Sequence, residues 1–399
     1  MPWKEIQKVN QRTDFVMEAI KTENFRELCR RYGISTKTGY KWKARALKEG
    51  TQRLEDRSRR PRSHSAELGE AVLLEIVRLK GSHPHWGPRK IRALYERKHG
   101  GQVPSESSFK RILERAGMTV PRRIRKAAQA GRLSSGFKAD KPNDVWTVDF
   151  KGWWRDREGL RVEPLTVRDE YSRMILELRA LESCGTESVR QCFERLFEQY
   201  GLPGAIRSDN GAPFASTSAL LGLSRLSTWW LALGIHLERG RPAHPQDNGA
   251  HERMHWDIWR ELEAKRVGRD QAAFDVWREE YNTERPHESL AMRVPADFYR
   301  PSERAYEGTP ADIDYECMDR RMVNRQCGKI SYRTERIFLS TALGGWSVGL
   351  SARNDGLVEV WFSTMLLGYI DPQTSSFSAA DRTGRQQVTH PHSTAGGAS

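Results

Sequence analysis

The sequence predicts a multidomain protein with an all-α N-terminal third, a central α/β region and a small all-β region towards the C-terminus. Three observations predict it. Charge is uneven: residues 1–140 hold 33 Lys/Arg against 15 Asp/Glu, a net +18, whereas residues 141–399 hold 33 against 37, a net −4. Apolar residues recur at helical spacing up to about residue 117 and in strand-like runs from Val145. Short strand-like runs split by turn signals then crowd residues 318–371. A length of 399 residues fits two to four domains. No apolar run approaches the ~18–20 residues of a membrane helix. The N-terminus shows no apolar signal region, so a cytoplasmic, soluble chain is expected. The five cysteines are scattered, with no Cys-x-x-Cys and no His pair at zinc-finger spacing. A disulfide framework and a structural zinc are therefore disfavoured.

The basic third calls for a polyanion, because Lys/Arg that displace counterions from phosphates gain affinity. Residues 1–52 read as a helix-turn-helix domain. Phe15, Val16, Ala19 and Ile20 share one helical face, Phe25, Leu28 and Cys29 the next. Gly33 makes the turn, Ile34 plugs it, and Ser35 caps a third helix from Thr36. That helix carries Lys37, Thr38, Tyr40, Lys41 and Lys43 towards DNA, with Trp42 inward. A plain three-helix bundle with a solvated basic face is the alternative. Residues 53–65 form a basic linker in which Arg59, Arg60 and Arg62 track DNA or simply stay solvated. A second helix-turn-helix domain spans 66–118. Val72, Leu73, Ile76, Val77 and Leu79 mark its first helix, Pro88 opens its second and Ser105 its third, and Lys110 is a DNA candidate. His83 and His85 flank a proline with no carboxylate or cysteine nearby, so a metal there is not expected. Residues 119–142 form another basic linker, with Arg122, Arg123, Arg125 and Lys126 as DNA candidates.

The central region, 143–300, reads as strands at 145–150, 161–169 and 173–179, a helix at 186–200, a strand at 203–207, a helix at 216–234, a strand at 235–238 and a helix from 248 to about 265. Asp149 lies inside an apolar strand, where an unpaired carboxylate is costly. Asp209 follows a strand and Glu252 lies in a helix's first turns. Each has a simpler reading: Asp149 pairs with an Arg, Asp209 starts an Asp-Asn-Gly turn, Glu252 favours the helix dipole. Three carboxylates converging on one point would repel unless cations sat among them, and oxygen ligands suit Mg²⁺ or Mn²⁺.

Four stretches in order carry a resemblance: Trp146-Thr147-Val148-Asp149-Phe150-Lys151-Gly152, Ser208-Asp209-Asn210-Gly211, His244-Pro245-Gln246-Asp247-Asn248-Gly249-Ala250-His251-Glu252-Arg253, and Tyr281-Asn282-Thr283-Glu284-Arg285-Pro286-His287. The chain resembles insertion-sequence transposases of the Asp-Asp-Glu superfamily, whose core is of the retroviral-integrase type. The resemblance implies an RNase H-like core with Asp149, Asp209 and Glu252 as the metal-binding catalytic triad. It implies two Mg²⁺ or Mn²⁺ ions per site, double-stranded element ends and target DNA as substrates, and a homo-oligomer that joins two ends. One departure is the 42 residues between Asp209 and Glu252, more than many relatives have. Glu238 is the rival third carboxylate. His251 and Arg253 either contact the scissile strand or are solvated surface. Arg285 and His287 match a family motif whose role the sequence does not reveal, with packing against the sheet as the plainer reading. Trp256 and Trp259 are expected in the core rather than against bases.

Residues 301–371 are expected to form a small barrel, SH3-like by the resemblance, binding DNA or protein. Residues 372–399, rich in Ser, Thr, Gly and Ala, are expected to be a disordered tail. The expected function is a DNA transposase that nicks 3′ ends and transfers strands, at work in the cytoplasm on the nucleoid. The alternative is a non-catalytic DNA-binding regulator derived from one.

Overall fold

The computed structural model describes residues 8–56, 68–119, 138–150, 152–181, 183–216, 219–239 and 249–380. The chain divides into two compact units, residues 1–72 and 73–399. The linker candidates Arg59, Arg60, Arg62, Arg122, Arg123, Arg125 and Lys126 lie outside the described residues.

In the first unit, helices α1 (Lys8–Lys21), α2 (Phe25–Arg31) and α3 (Thr36–Glu49) surround one core of Phe15, Val16, Ala19, Leu28, Cys29, Ile34, Trp42, Ala46 and Leu54. Ile20, expected inside, is 49% exposed. The caps follow from residue chemistry: Asn24 Oδ1 accepts from the Glu27 amide at 3.2 Å, and Ser35 Oγ from the Thr38 amide at 3.2 Å. Gly39, inside α3, lets that helix lie against its neighbours. A Cβ there would sit 2.6 Å from Cys29 Sγ and 3.0 Å from Phe15 Cζ.

The division falls within α4 (Glu70–Ser82), and the second unit continues with α5 (Pro88–His99) and α6 (Glu106–Arg115). A five-stranded sheet follows. Its strands are β1 (Val145–Phe150), β4 (Pro164–Asp169), β5 (Ile175–Ala180), β6 (Ala205–Ser208) and β7 (His236–Arg239), in the order β5-β4-β1-β6-β7. The pairs β5-β4 and β4-β1 are antiparallel, and β1-β6 and β6-β7 are parallel. A two-stranded ribbon of β2 (Trp154–Arg155) and β3 (Arg161–Val162) intervenes.

Strand alternation sends Trp146 and Val148 to one face. There they meet α7 (Thr186–Tyr200) and α8 (Arg225–Ala232) through Val189, Phe193, Phe197, Trp229 and Trp230. On the opposite side lie α9 (Gly249–Glu261) and α10 (Gln271–Thr283), with Met254, Ile258, Phe274, Trp277 and Tyr281 in a second core. The helix expected over 216–234 is only the eight residues of α8, capped at Ser224 by a reciprocal pair with Ser227.

Helix α10 covers the outer edge of β5. Asn282 receives the Ile175 amide and donates to its carbonyl, both at 2.9 Å; Arg278 donates to the Leu176 carbonyl at 2.7 Å and Gln271 to the Leu178 carbonyl at 2.9 Å.

The C-terminal strands differ from the expected barrel. β8 (Asp319–Met322), β11 (Ser347–Ala352), β12 (Val358–Phe362), β13 (Met365–Asp371) and β14 (Ser376–Ala379) form an open sheet in the order β14-β13-β12-β11-β8. β9 (Lys329–Tyr332) and β10 (Glu335–Phe338) pair only with each other. The expected tail also begins too early: residues 376–379 are a strand paired with β13, because Phe377 supplies an apolar residue beside that core.

Candidate active site

Thr147 and Asp149 point away from Trp146 and Val148, towards the α9 face. Register places Asp149 opposite Thr166 and Thr147 opposite Arg168, so four polar side chains share one patch of sheet. Asp149 is largely buried. Its carboxyl is pushed up to about 7, first by burial, then by the charge of Asp209 and, more weakly, that of Glu252; the Phe150 amide opposes the shift. The three acids therefore share one electrostatic field. Asp209 follows β6 directly and is exposed, with Oδ1 accepting the Gly211 amide at 3.1 Å. The Asp-Asn-Gly turn, the simpler reading of Asp209, is thus present. A Cβ on Gly211 would lie 2.9 Å from Asp209 Oδ2, so only glycine fits the turn with this carboxylate orientation. Glu252 is exposed in the first turn of α9. The rival, Glu238, is held by Arg207 at 2.7 and 2.8 Å, so its charge is already compensated.

Two histidines of α9 adjoin this patch, His251, which the sequence reading placed against DNA, and His255, which it passed over. His251, a candidate DNA contact, is fully buried and has no surface to offer a strand. Its Nδ1 meets Thr147 Oγ1 at 2.9 Å and its Nε2 meets Thr166 Oγ1 at 2.6 Å. His255 Nε2 reaches the same Thr166 oxygen at 2.9 Å. Donor atoms of Asp149, His251 and His255 all lie within 4.8 Å of one another. Burial, His255 and Arg168, in that order, hold the His251 imidazole well below its ordinary pKa, so it is neutral. The sequence did carry a signal for this patch: polar residues alternate with apolar ones in both β1 and β4.

Arg285 also acquires a role. It is 3% exposed and pairs with Asp257 at 2.7 Å and Glu261 at 3.1 Å, both on α9. Glu261 also accepts Trp277 Nε1 at 2.8 Å. The Tyr281 ring lies under the guanidinium at 5.5 Å. His287 is half-buried against Tyr281, with ring centroids 4.6 Å apart. With Asn282 on β5, the motif at 281–287 fastens the helix that carries Glu252 to the sheet that carries Asp149. The plainer reading, packing, is what the structure shows.

Trp256 and Trp259, expected in the core, are 46% and 42% exposed and lie against each other, with centroids 4.7 Å apart. At i+4 and i+7 from Glu252 they sit on the side of α9 away from Met254 and Ile258. Arg253 is exposed, 4.0 Å from Asp257. Of the other DNA candidates, Lys37, Tyr40 and Lys41 are exposed on α3. Thr38 and Lys43 are half-buried, and Lys43 lies over the Phe25 ring at 5.5 Å. The exposed Ser35 is engaged in its cap. Lys110 is exposed near Glu114 at 3.8 Å. His83 and His85 face Glu280 and Arg260 at 3.0 Å each, so both are engaged with the core.

Comparison with known proteins now bears on this arrangement. Two integrase core domain family models match residues 139–245 and 233–295. A helix-turn-helix domain model matches 11–62 and a homeodomain-like domain model 38–113. A 31.7 kDa protein of insertion element IS407 from Burkholderia multivorans is 26% identical over 248 residues, 61% of this chain and 85% of that protein. The transposase for insertion sequence element IS904 from Lactococcus lactis is 28% identical over 184 residues, 44% of this chain and 69% of that one. The chain is thus similar to insertion-sequence transposases and carries matches to both helix-turn-helix and integrase core domains. A 39.2 kDa protein of insertion element IS476 from Xanthomonas euvesicatoria is 26% identical, and the chain covers 64% of its length. Among solved structures, the catalytic core domain of BIV integrase aligns over 39% of this chain and 93% of its own, at 21% identity and a TM-score of 0.31. Among the described residues, no helix is long and apolar enough to cross a membrane.

Proposed function

We propose that this chain is the DNA transposase of an insertion element: it binds the element's ends, nicks them to free a 3′-OH and joins that 3′-OH to target DNA. The observation that carries the reading is the shared field of Asp149, Asp209 and Glu252. Burial and two like charges hold Asp149 near neutrality, and a cation among the three relieves both costs. Carboxylate oxygens suit Mg²⁺ or Mn²⁺, so this donor set fits such an ion. We assign Asp149, Asp209 and Glu252 as its ligands, with two ions per site. When bound, the metal pair supplies Lewis acidity for an in-line displacement at phosphorus.

The chain's own residues do the rest. The Arg285 pairs and the Thr147–His251 bond hold α9 against β1, which fixes Glu252 relative to Asp149. Gly211 lets backbone approach without a clash. The exposed Lys37, Tyr40 and Lys41 suit groove and phosphate contact, and the linker arginines add to the positive charge of the N-terminal third. Engagement of Glu238 by Arg207 supports Glu252 as the third acid. Joining two ends at once calls for a homo-oligomer, working in the cytoplasm on nucleoid DNA. The C-terminal sheet would help assemble it.

The test is a gel assay on labelled DNA flanking the gene, in Mg²⁺ or Mn²⁺ against EDTA, with wild type and Glu252→Gln. Metal-dependent nicking at one 3′ end, lost in the variant, is expected. Cleavage that survives Glu252→Gln would sink the assignment. Tight binding with no cleavage by wild type would point to a regulator.

A further inference from the structure

The catalytic reading uses Asp149 but leaves the histidines beside it unexplained as chemistry. His251 and His255 are one helical turn apart, so both imidazoles project from the same face of α9. Their Nε2 atoms converge on a single atom, Thr166 Oγ1, at 2.6 and 2.9 Å. Each threonine hydroxyl beside His251 also has a backbone acceptor: Thr147 Oγ1 lies 3.2 Å from the Arg168 carbonyl and 2.9 Å from His251 Nδ1, and Thr166 Oγ1 lies 2.9 Å from the Asp149 carbonyl. In the neutral tautomer whose Nδ1–H points to Thr147, His251 Nε2 carries the lone pair with which imidazole binds metal. A partner behind the ring is also how ligand histidines are held. The carboxylate of Asp149 completes the group, with all three donor atoms within 4.8 Å.

We propose that Asp149, His251 and His255 form a second cation site, selective for a borderline transition ion such as Zn²⁺ and sharing Asp149 with the carboxylate triad. Two imidazoles and one carboxylate favour Zn²⁺ or Co²⁺, whereas the all-oxygen triad favours Mg²⁺. Bonds of about 2.1 Å in a tetrahedron set donor separations near 3.4 Å. The group must therefore contract, and the partly exposed Asp149 and His255 side chains supply the movement while His251 stays fixed. A bound ion draws Asp149 away from Asp209 and Glu252, so Zn²⁺ inhibits strand cleavage by competing for one shared ligand. That consequence rests on the proposed function; the binding does not.

The experiment uses the full chain stripped with EDTA, titrated with Co²⁺ by visible absorption and then with Zn²⁺ in competition. One equivalent with the absorption of tetrahedral nitrogen–oxygen coordination is expected. His255→Gln should weaken Zn²⁺ at least about tenfold, the lower end of what losing a supporting partner costs. His255→Cys should restore binding and add a sulfur-to-cobalt band that wild type lacks. Glu252→Gln should leave Zn²⁺ affinity intact, and thermal melts establish that each variant folds. Binding unchanged by His255→Gln, binding lost in Glu252→Gln, or a sulfur band in wild type would overturn the site. Cleavage without Zn²⁺ binding would refute this site alone. Zn²⁺ binding without cleavage would refute only the transposase reading.

Discussion

Replacing Arg285 by Met should loosen α9 from the sheet. Met matches the stem of the side chain and removes its charge. Asp257 and Glu261 are 4% and 8% exposed, and both face Arg285. Breaking a buried pair by removing one partner costs about 3–5 kcal/mol, because the remaining charge stays out of water. Glu261 keeps its bond from Trp277 at 2.8 Å, whereas Asp257 keeps the exposed Arg253 at 4.0 Å and the charge of Lys90. The loss should therefore fall on Asp257 first. At about 1.4 kcal/mol per decade, local opening should rise on the order of a hundred- to a few-thousand-fold. Native-state hydrogen exchange of amides in residues 249–261 measures this directly. Adding Asp257→Asn and Glu261→Gln to Arg285→Met should recover most of the protection, since an uncharged trio carries no buried ion. A cost below about 1 kcal/mol for Arg285→Met, or no recovery in the triple variant, would refute the reasoning.

Stability of the metal-free protein should fall as pH rises from about 4 to about 7. Folded Asp149 keeps its proton up to about 7, whereas the unfolded chain loses it near 3.8. Melts in EDTA across that range should show the slope, and Asp149→Asn should flatten it. Gly39→Ala should destabilise the first unit by about 1–3 kcal/mol, the usual cost of overpacking, read as faster exchange of amides in 36–49. Lys37→Ala and Lys41→Ala should each reduce the salt dependence of DNA binding by about one unit of log–log slope; an unchanged slope places α3 away from phosphate.

Much of the core was legible because its signals are local. Residues 145–150 and 186–200 were expected as a strand and a helix with the bounds that the structure gives β1 and α7. Those segments announce themselves through apolar runs and the 3.6-residue period. The three acids were visible as polar residues at apolar boundaries. What stayed hidden depends on the far side of each element. Nothing adjacent to His251 says that Thr147 and Thr166 close over it, 104 and 85 positions away in the chain. Trp256 and Trp259 read as core because tryptophan is apolar, yet Met254 and Ile258 already fill that side of α9. Arg285 was read as packing against the sheet, but the two carboxylates that hold it come from α9. The barrel expectation failed because short alternating strands specify a sheet but not whether its edges meet.

The cover that α10 places over β5 bears on how copies of this protein meet. An exposed strand edge invites a neighbouring chain to pair with it. Here Gln271, Arg278 and Asn282 already occupy edge groups of Ile175, Leu176 and Leu178. The sheet therefore ends at β5 by side-chain substitution for a sixth strand. Continuous sheet formation with a second copy is closed to this edge, so any contact made there runs through the side chains of α10, which carry more sequence identity than a bare backbone does.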